Sequence, residues 1–589
     1  VVWLGGSSAS RTQQQIEQLA MRGVFTPQMH AAAGNGISDD ATPLQSTITD
    51  ATASGRGILA LLPGVTYLIN SQLVIHAPLV IEGNGATILK GTSLNAYALF
   101  VDGADVEIRD LTIDGNRAGG NSTTSGCYDL EGLRGVLRRC KAKNSKGSGI
   151  DVSGAGVVVD CFDCEASDIV TTSTTGVGFT ASASGVLRCW GNCRADNNGQ
   201  SGFAFSATAG AGCRVEGTAN NNQFSGARLL SQNGTIGYFK SGNNQSYGIY
   251  GQNATGWTCA YFEDTDCGHS TNGAFVDNGA ATALEILACD NWRFATVKAI
   301  RPLGYGVALG GLAGTGCSYC HFDSIYVDLP NDPAVFIGGN SHHNVFGRLL
   351  ARGIIAVSFA ENSTDTGNDH NTFGTVTAIE CGYSVIRGSG CNHNLFHSVR
   401  AIDCNNHAPY TSLVEWDAGT TSCTDNVIAY WDSENPSGAL AGTTSPAYVM
   451  LCDATATNNR ILDGRATQYT TAAISDANGS NRVSFNRDLP VTATYSALIT
   501  LNAASAVVQR ITPTNTATFT INAPTNPTPG YQLVVDIGGL TGVMGVIIWN
   551  AAFKLAGAFT NPATTKRRTI SFYYDGSNWI ETNRAAADI

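Results

Sequence analysis

The feature that most constrains this chain is a repeat. Asn or Asp, a few polar residues, then Gly and an apolar residue recur from Asn144 to Gly149-Ile150, Asn197 to Gly202-Phe203, Asn221 to Gly226-Ala227 and Asn243 to Gly248-Ile249. Looser copies end at Gly178-Phe179 and Gly273-Ala274, so successive glycines lie 29, 24, 24, 22 and 25 residues apart. Helical repeats are usually longer and carry a period of about 3.6 residues, which these segments lack. A coil of three short strands joined by three turns fits the length. The strand before each turn agrees: Cys140, Cys164, Cys193, Gly217, Phe239 and Phe262 make an inward column, and Lys141, Glu165, Arg194, Thr218, Lys240 and Glu263 an outward one. Alternation with period two marks a strand with one buried face.

Farther on the repeat keeps its period and changes its residues. His343-Asn344-Val-Phe346, His370-Asn371-Thr-Phe373 and His393-Asn394-Leu-Phe396 align, followed by Asp425-Asn426-Val-Ile428 and Asn458-Asn459-Arg-Ile461. Phe294 and Phe322 extend the series backwards. Inward Asn344, Asn371, Asn394, Asn426 and Asn459 are expected to form an amide ladder, and the phenylalanines an aromatic stack. Before the coils, Leu44, Ile48 and Ala51 have helical spacing behind Asp39 and Asp40, either of which suits an N-cap. Such a helix would plug the open end of the first coil. After about residue 480 the repeat fades into alternating strands with Pro/Gly turns and a final Asp575-Gly576 hairpin. The expected fold is all-β: a right-handed single-stranded parallel β-helix with a C-terminal antiparallel β-sandwich. The domains expected are 1–33, an N-terminal helix and linker; 34–485, the β-helix; and 486–589, the sandwich, serving trimerisation or carbohydrate binding.

Composition narrows the function. Only 14% of residues are charged and the net charge is −12, which disfavours nucleic acid. No apolar run is long enough to span a bilayer, so no membrane insertion is expected. The 17 cysteines are scattered, and Cys161-Phe-Asp-Cys164 and Cys317-Ser-Tyr-Cys320 are not paired in zinc-finger fashion. They read as buried free thiols, which implies folding in a reducing cytoplasm. No metal and no cofactor is expected. The column of His343, His370 and His393 reads as stacked rings, because a coil rise of about 4.8 Å holds the nitrogens too far apart to share one zinc.

Gly34-Asn-Gly-Ile-Ser-Asp-Asp-Ala-Thr-Pro-Leu-Gln45 resembles the entry motif of pectate-lyase-like β-helices, GDGxxDDTxAxQ. Asn35 and Ala41 depart from it. Leu62-Pro-Gly-Val-Thr-Tyr67, Ile81-Glu-Gly-Asn-Gly-Ala-Thr-Ile88 and the segment from Val106 to Asn116 resemble the family's next strands. These motifs identify a fold, which hosts lyases, hydrolases, epimerases and phage tailspikes, and do not fix a reaction. The stretch from Thr12 to Met29 is similar to the helix and linker that lead into tailspike β-helices, and the terminal hairpin resembles tail-fibre ends. The resemblance implies a virion spike, a homotrimer folded in the host cytoplasm and working outside it. Its partners would be a bacterial surface polysaccharide and a tail or baseplate protein, the latter through a missing N-terminal region.

The expected activity is depolymerisation of capsule, exopolysaccharide or O-antigen, by hydrolysis in preference to lysis, because outward acids are available and no uronate groove lined by Lys and Arg is evident. A non-catalytic receptor-binding spike and a secreted bacterial or fungal pectinolytic enzyme or polysaccharide lyase are the alternatives. Glycoside cleavage needs two carboxyls. Glu263 and Asp266 are the expected catalytic pair, with Asp168 and Asp196, on adjacent coils, in reserve. Arg228 and Tyr250, outward on successive coils, are expected to converge with Glu263 and Asp266 and bind substrate. Trp190, Trp257 and Tyr319, read as outward, are candidates for sugar stacking. For any one of these acids the competing reading is a solvated turn.

Overall fold

A computed structural model describes residues 23–117, 126–169, 176–268, 281–310, 316–359, 367–404, 412–416, 422–434, 446–466, 472–477, 479–484, 490–503, 506–527 and 529–589. From Val24 to Val483 the strands wind into a parallel β-solenoid of two long sheets and a small third one that pairs Asn368–Asp369 with Cys391–Asn392. The wide sheet collects 25 strands and the narrow sheet 16 among the described residues. Early coils give the wide sheet two strands, such as Arg134–Arg138 and Lys141–Lys143; later coils merge them into one of eight residues, such as Thr258–Thr265. Register is residue for residue, so Lys141, Glu165, Arg194, Thr218, Lys240 and Glu263 pair in sequence as one outward column. Their neighbours Cys140, Cys164, Cys193, Phe239 and Phe262 are fully buried. Gly217 completes that inward column at φ 129°, and a Cβ there would stand 1.8 Å from the Cys193 carbonyl oxygen.

The repeated Asn or Asp has a backbone cause. Asn144, Asp168, Asn197, Asn221, Asn243 and Asp266 all adopt left-handed φ of 52–58° where the chain leaves the wide sheet. Short polar side chains tolerate that conformation best after glycine. The next residue turns inward: Asn198, Asn222 and Asn244 are buried, and each of the first two donates from Nδ2 to the Oδ1 of the next, at 3.0 and 2.9 Å. This ladder was not expected. The expected one exists at the other turn, where Asn344, Asn371, Asn394, Asn426 and Asn459 are linked at 2.9–3.0 Å and the chain of amides continues to Asn481. Beside it Phe294, Phe322, Phe346, Phe373 and Phe396 stack with centroids 4.5–5.1 Å apart.

The helix Ala41–Ala53 buries Leu44, Ile48 and Ala51 against the first coils. Asp40 is its N-cap residue, but its carboxylate accepts from the amides of Ala33 and Gly34; the Asp39 carboxylate accepts the first-turn amide of Ala41. The expected helix before it starts outside the described residues, as does the repeat copy at Gly273-Ala274. All 17 cysteines are free, and every one except Cys404 is buried. No helix among the described residues is long and apolar enough to cross a membrane.

A second core, from Ile499 to Trp579, belongs to a C-terminal unit of two sheets. Its pairing is mixed. Among the described residues, antiparallel pairing is confined to Gln532–Gly538 with Arg567–Tyr574 and that strand with Trp579–Arg584. Val491–Ala493, Val508–Ile511 and Gln532–Gly538 pair in parallel in one sheet, and Leu498–Asn502, Phe519–Thr525 and Ile547–Trp549 in parallel in the other. The chain alternates between them, so the unit continues the winding in two-sheet coils before the final hairpin closes it.

Candidate functional site

In the early coils each short narrow-sheet strand sets one partly exposed outward residue between two buried neighbours; from Val307–Leu309 to Val357–Phe359 the outward residue is buried as well. Pairing orders these outward residues as Phe100, Asp129, Asp151, Thr180, Ala204, Arg228, Tyr250, Glu285 and Ala308. With about 4.8 Å per coil, Asp151 and Glu285 stand about 24 Å apart along the solenoid axis. Chemistry is concentrated at the two ends of this row, and the small side chains of Thr180 and Ala204 lie between.

Asp129 and Asp151 sit on adjacent coils, each inside an apolar strand: Tyr128-Asp129-Leu130 and Ile150-Asp151-Val152. Tyr97 donates its hydroxyl to Asp151 Oδ2 at 2.6 Å, while Oδ1 is buried without a hydrogen-bond partner among the described residues. Burial, and then the charges of Asp151 and Glu131, push the Asp129 carboxyl up to about 7. Burial also raises Asp151, with the Tyr97 hydrogen bond opposing. Two close carboxyls that lose water cannot both ionise cheaply, so the dyad carries a proton into the neutral range.

The other end is an aromatic cluster with a cation and an acid. Phe224, Tyr247 and Tyr250 pack with centroids 4.9–5.7 Å apart, and the Arg228 guanidinium lies 5.8 Å from the Phe224 centroid. Arg228 Nε is buried and has no partner among the described residues. Burial pushes Glu285 up to about 7, against the Tyr247 hydrogen bond that favours its charged form. Burial and the Glu285 charge raise Tyr250, while Arg228 lowers it.

Arg228 and Tyr250 do face outward on successive coils. They do not share a column with Glu263. The column that continues them leads to Glu285, and Glu263 belongs to the wide sheet, between Lys240 and Lys298. The expected convergence of the four therefore fails: Tyr250 lies on the narrow-sheet strand Tyr247–Gln252 and Glu263 on the next strand, Thr258–Thr265, of the wide sheet. Glu263 is ion-paired to Lys240 at 3.2 Å and Lys298 at 3.3 Å and accepts the Tyr261 hydroxyl at 2.6 Å. Burial raises its pKa, but these hydrogen bonds outweigh that and hold it below the usual carboxylate range. Asp266, at the left-handed turn, takes a bidentate pair from Arg301 at 2.8 Å. Asp264, between them, points into the core and is fully buried.

The reserve acids are neighbours, since the Asp168 amide donates to the Asp196 carbonyl oxygen at 3.1 Å. The Asp196 side chain is buried, paired with Arg194 and saturated by Asn220. Trp190 is half-buried; Phe162 stacks on its coil-to-coil neighbour side at 6.3 Å and Arg214 lies over the ring at 4.2 Å. Trp257, expected to face out, is 1% exposed: it stacks on Phe205 and donates Nε1 to the Ser231 carbonyl at 2.7 Å. Tyr319 is exposed and stacks on His343 at 5.3 Å, and His343, His370 and His393 stack at 5.0 Å intervals. Parallel rings at that spacing cannot converge on one ion, and among the described residues no group of three or more His, Cys, Asp or Glu could hold a metal.

No protein-family model matches the chain. A stretch is 33% identical over 134 residues to "Depolymerase 1, capsule KN3-specific" of Klebsiella phage KN3-1; the match covers 19% of this chain and 17% of that protein, so the chain spans about a sixth of this curated relative. Among solved structures, pre-mature gene product 12 of bacteriophage phi29 is 12% identical, over 85% of this chain and 69% of the other, with a TM-score of 0.43. The Dettilon tailspike is 14% identical over 77% and 69% of the two chains at TM-score 0.27. The A-module of the Azotobacter vinelandii mannuronan C-5 epimerase AlgE4 is 14% identical over 78% and 100% at TM-score 0.24. Over that stretch of 134 residues this β-solenoid is similar in sequence to a phage capsule depolymerase.

Proposed function

We propose that this chain is the glycan-binding and glycan-cleaving body of a bacteriophage tailspike, a glycoside hydrolase acting on a bacterial surface polysaccharide. The observation that carries the reading is the outward row of the narrow sheet, which joins a proton-holding acid pair to an aromatic and cationic cluster. The relative's specificity for a capsule supports the substrate class. Asp129, protonated near neutral pH, would give its proton to the leaving glycosidic oxygen. Asp151, oriented by Tyr97, would attack the anomeric carbon from the other face and then be released by water. Strand spacing of about 4.8 Å favours the retaining separation of about 5–5.5 Å over the inverting one of about 6.5–9.5 Å. Tyr250, Tyr247 and Arg228 would hold sugar units several coils away, so the binding energy of distant units positions the scissile bond.

Exposed apolar residues on the C-terminal unit support a homotrimer: Val543 is 80% exposed, and Leu498, Val546 and Ile548 are exposed as well. Association there would bury them. The spike would work outside the host cell after folding inside it. The test is digestion of purified bacterial surface polysaccharides, read by new reducing ends and by the ultraviolet absorbance of unsaturated uronates. Hydrolysis gives the first without the second. Asp129→Asn and Asp151→Asn should each lower the rate by at least two orders of magnitude while polysaccharide binding persists. Glu263→Gln and Asp266→Asn, the pair expected from the sequence, should keep near-normal rates; the opposite pattern would move the chemistry to the wide sheet.

A further inference from the structure

We propose that a trough on the outer face of the wide sheet is a second saccharide site, which takes a sugar unit carrying a carboxylate. The trough encloses about 360 Å³, within the size range of small-ligand sites. It exists because three successive coils carry almost no side chain at one outward position. Gly237, Ala260 and Ala295 form its floor, in register between Ile236 and Tyr238, Cys259 and Tyr261, and Phe294 and Thr296. The same column is acidic at both ends, with Glu216 against Gly237 and Asp323 one coil beyond Ala295.

Both end acids already have a partner. Glu216 is paired with Arg214, which also lies over Trp190, and Asp323 is paired with His321 at 2.9 Å. The middle of the wall differs. Arg293 lines the trough between Thr258 and His321, and its side chain has no hydrogen bond or ion pair among the described residues. An unpaired guanidinium beside a small-residue floor suits a carboxylate, which it can bind by two parallel hydrogen bonds. Tyr238, which follows the floor residue Gly237 and does not itself line the trough, is 52% exposed and available to a sugar that extends beyond it. The Tyr238 ring is stacked on Tyr261 at 4.8 Å, and the Tyr261 hydroxyl is held by Glu263 at 2.6 Å, so the platform is fixed before a ligand arrives. Glu263 and its lysines, by this placement, support that platform.

The site stands apart from the narrow face, so its test reads binding alone and holds whether or not that face cleaves glycans. The probes are D-glucuronic acid, its methyl ester and D-glucose, titrated onto the whole chain and followed by saturation-transfer NMR. Glucuronic acid should bind at least tenfold more tightly than the ester or glucose. Arg293→Gln should erase that preference, and Ala260→Trp, which fills the floor from the solvent side, should abolish binding of all three. Arg465→Ala, at an exposed arginine paired with Asp432 and outside both sites, should change nothing. Equal binding of acid and ester by the wild-type chain would overturn the proposal, as would no detectable binding of the acid. So would retention of the acid's advantage in either trough variant that folds, or its loss in Arg465→Ala. Far-UV circular dichroism identifies a variant that fails to fold; the two trough variants act by charge and by volume, so either one that folds decides the matter.

Discussion

Replacing Asp264 by alanine should raise stability near neutral pH and lower it slightly in acid. Asp264 lies in an interior column otherwise filled by Ala142, Ala166, Ala195, Ala219, Ser241 and Ala299. It is fully buried; Ser241 donates to Oδ1, and Oδ2 has no partner among the described residues. Burial, helped by the Asp266 charge, pushes its carboxyl up to about 8, despite the Ser241 hydrogen bond. The unfolded chain titrates near 3.8. A folded pKa above the unfolded one means stability that is fully present below about pH 4 and is lost as pH rises towards 8. At pH 7 the loss is at most about 4 kcal/mol. Removing the carboxyl also costs about 1–2 kcal/mol at every pH, through a small void and an unmet Ser241 hydroxyl. The net is a gain of about 2–3 kcal/mol at pH 7 and a loss of about 1–2 at pH 4. With 589 residues the gain corresponds to only about 2 °C in Tm. Differential scanning calorimetry of both proteins at the two pH values should show the sign of the Tm difference reverse. A substitution that lowers Tm equally at both would refute the protonated-core reasoning.

Three further outcomes follow from the same contacts. Asn371→Ala removes the acceptor for Asn344 Nδ2 and the donor to the Ser341 carbonyl; thermal unfolding should show a loss of about 3 kcal/mol, and an unchanged Tm would deny the ladder a stabilising part. Gly217→Ala meets the Cys193 carbonyl at 1.8 Å in a left-handed conformation, so soluble yield should collapse, whereas Gly212→Ala, with open space around it, should express normally apart from local strain. If Asp129 is the acid, the rate of glycan cleavage should fall as pH rises through about 7, because the form that donates a proton disappears; a rate still climbing at pH 9 would exclude it.

The coil, its register and its packing were legible because period two fixes which face is buried and the His-Asn-x-Phe phrase fixes the phase. The first amide ladder was missed although Asn197-Asn198, Asn221-Asn222 and Asn243-Asn244 announce it: the first of each doublet is the turn, and its partner's inward direction is a consequence of the left-handed φ. Trp257 was misplaced for a related reason. It follows Gly256, at φ 72°, which turns the next side chain inward. The step from Tyr250 to Glu285 spans 35 residues instead of the usual two dozen, so the repeat length alone does not show that Glu285 continues the column. Asp129 and Asp151 carried a usable signal, a lone acid between two apolar strand residues one coil apart. Only burial distinguishes them from a solvated face. In the C-terminal unit, alternation marks strands without saying which direction a partner runs, so parallel pairing there could not be read.

The most direct test is a crystal structure of the Asp151→Asn protein with an oligosaccharide from the polysaccharide it binds. The glycan should lie along the narrow sheet, with a glycosidic oxygen beside Asp129 and distant units against Arg228, Tyr250 and Glu285. A glycan bound instead beside Glu263 and Asp266, with the narrow sheet bare, would contradict the proposed site.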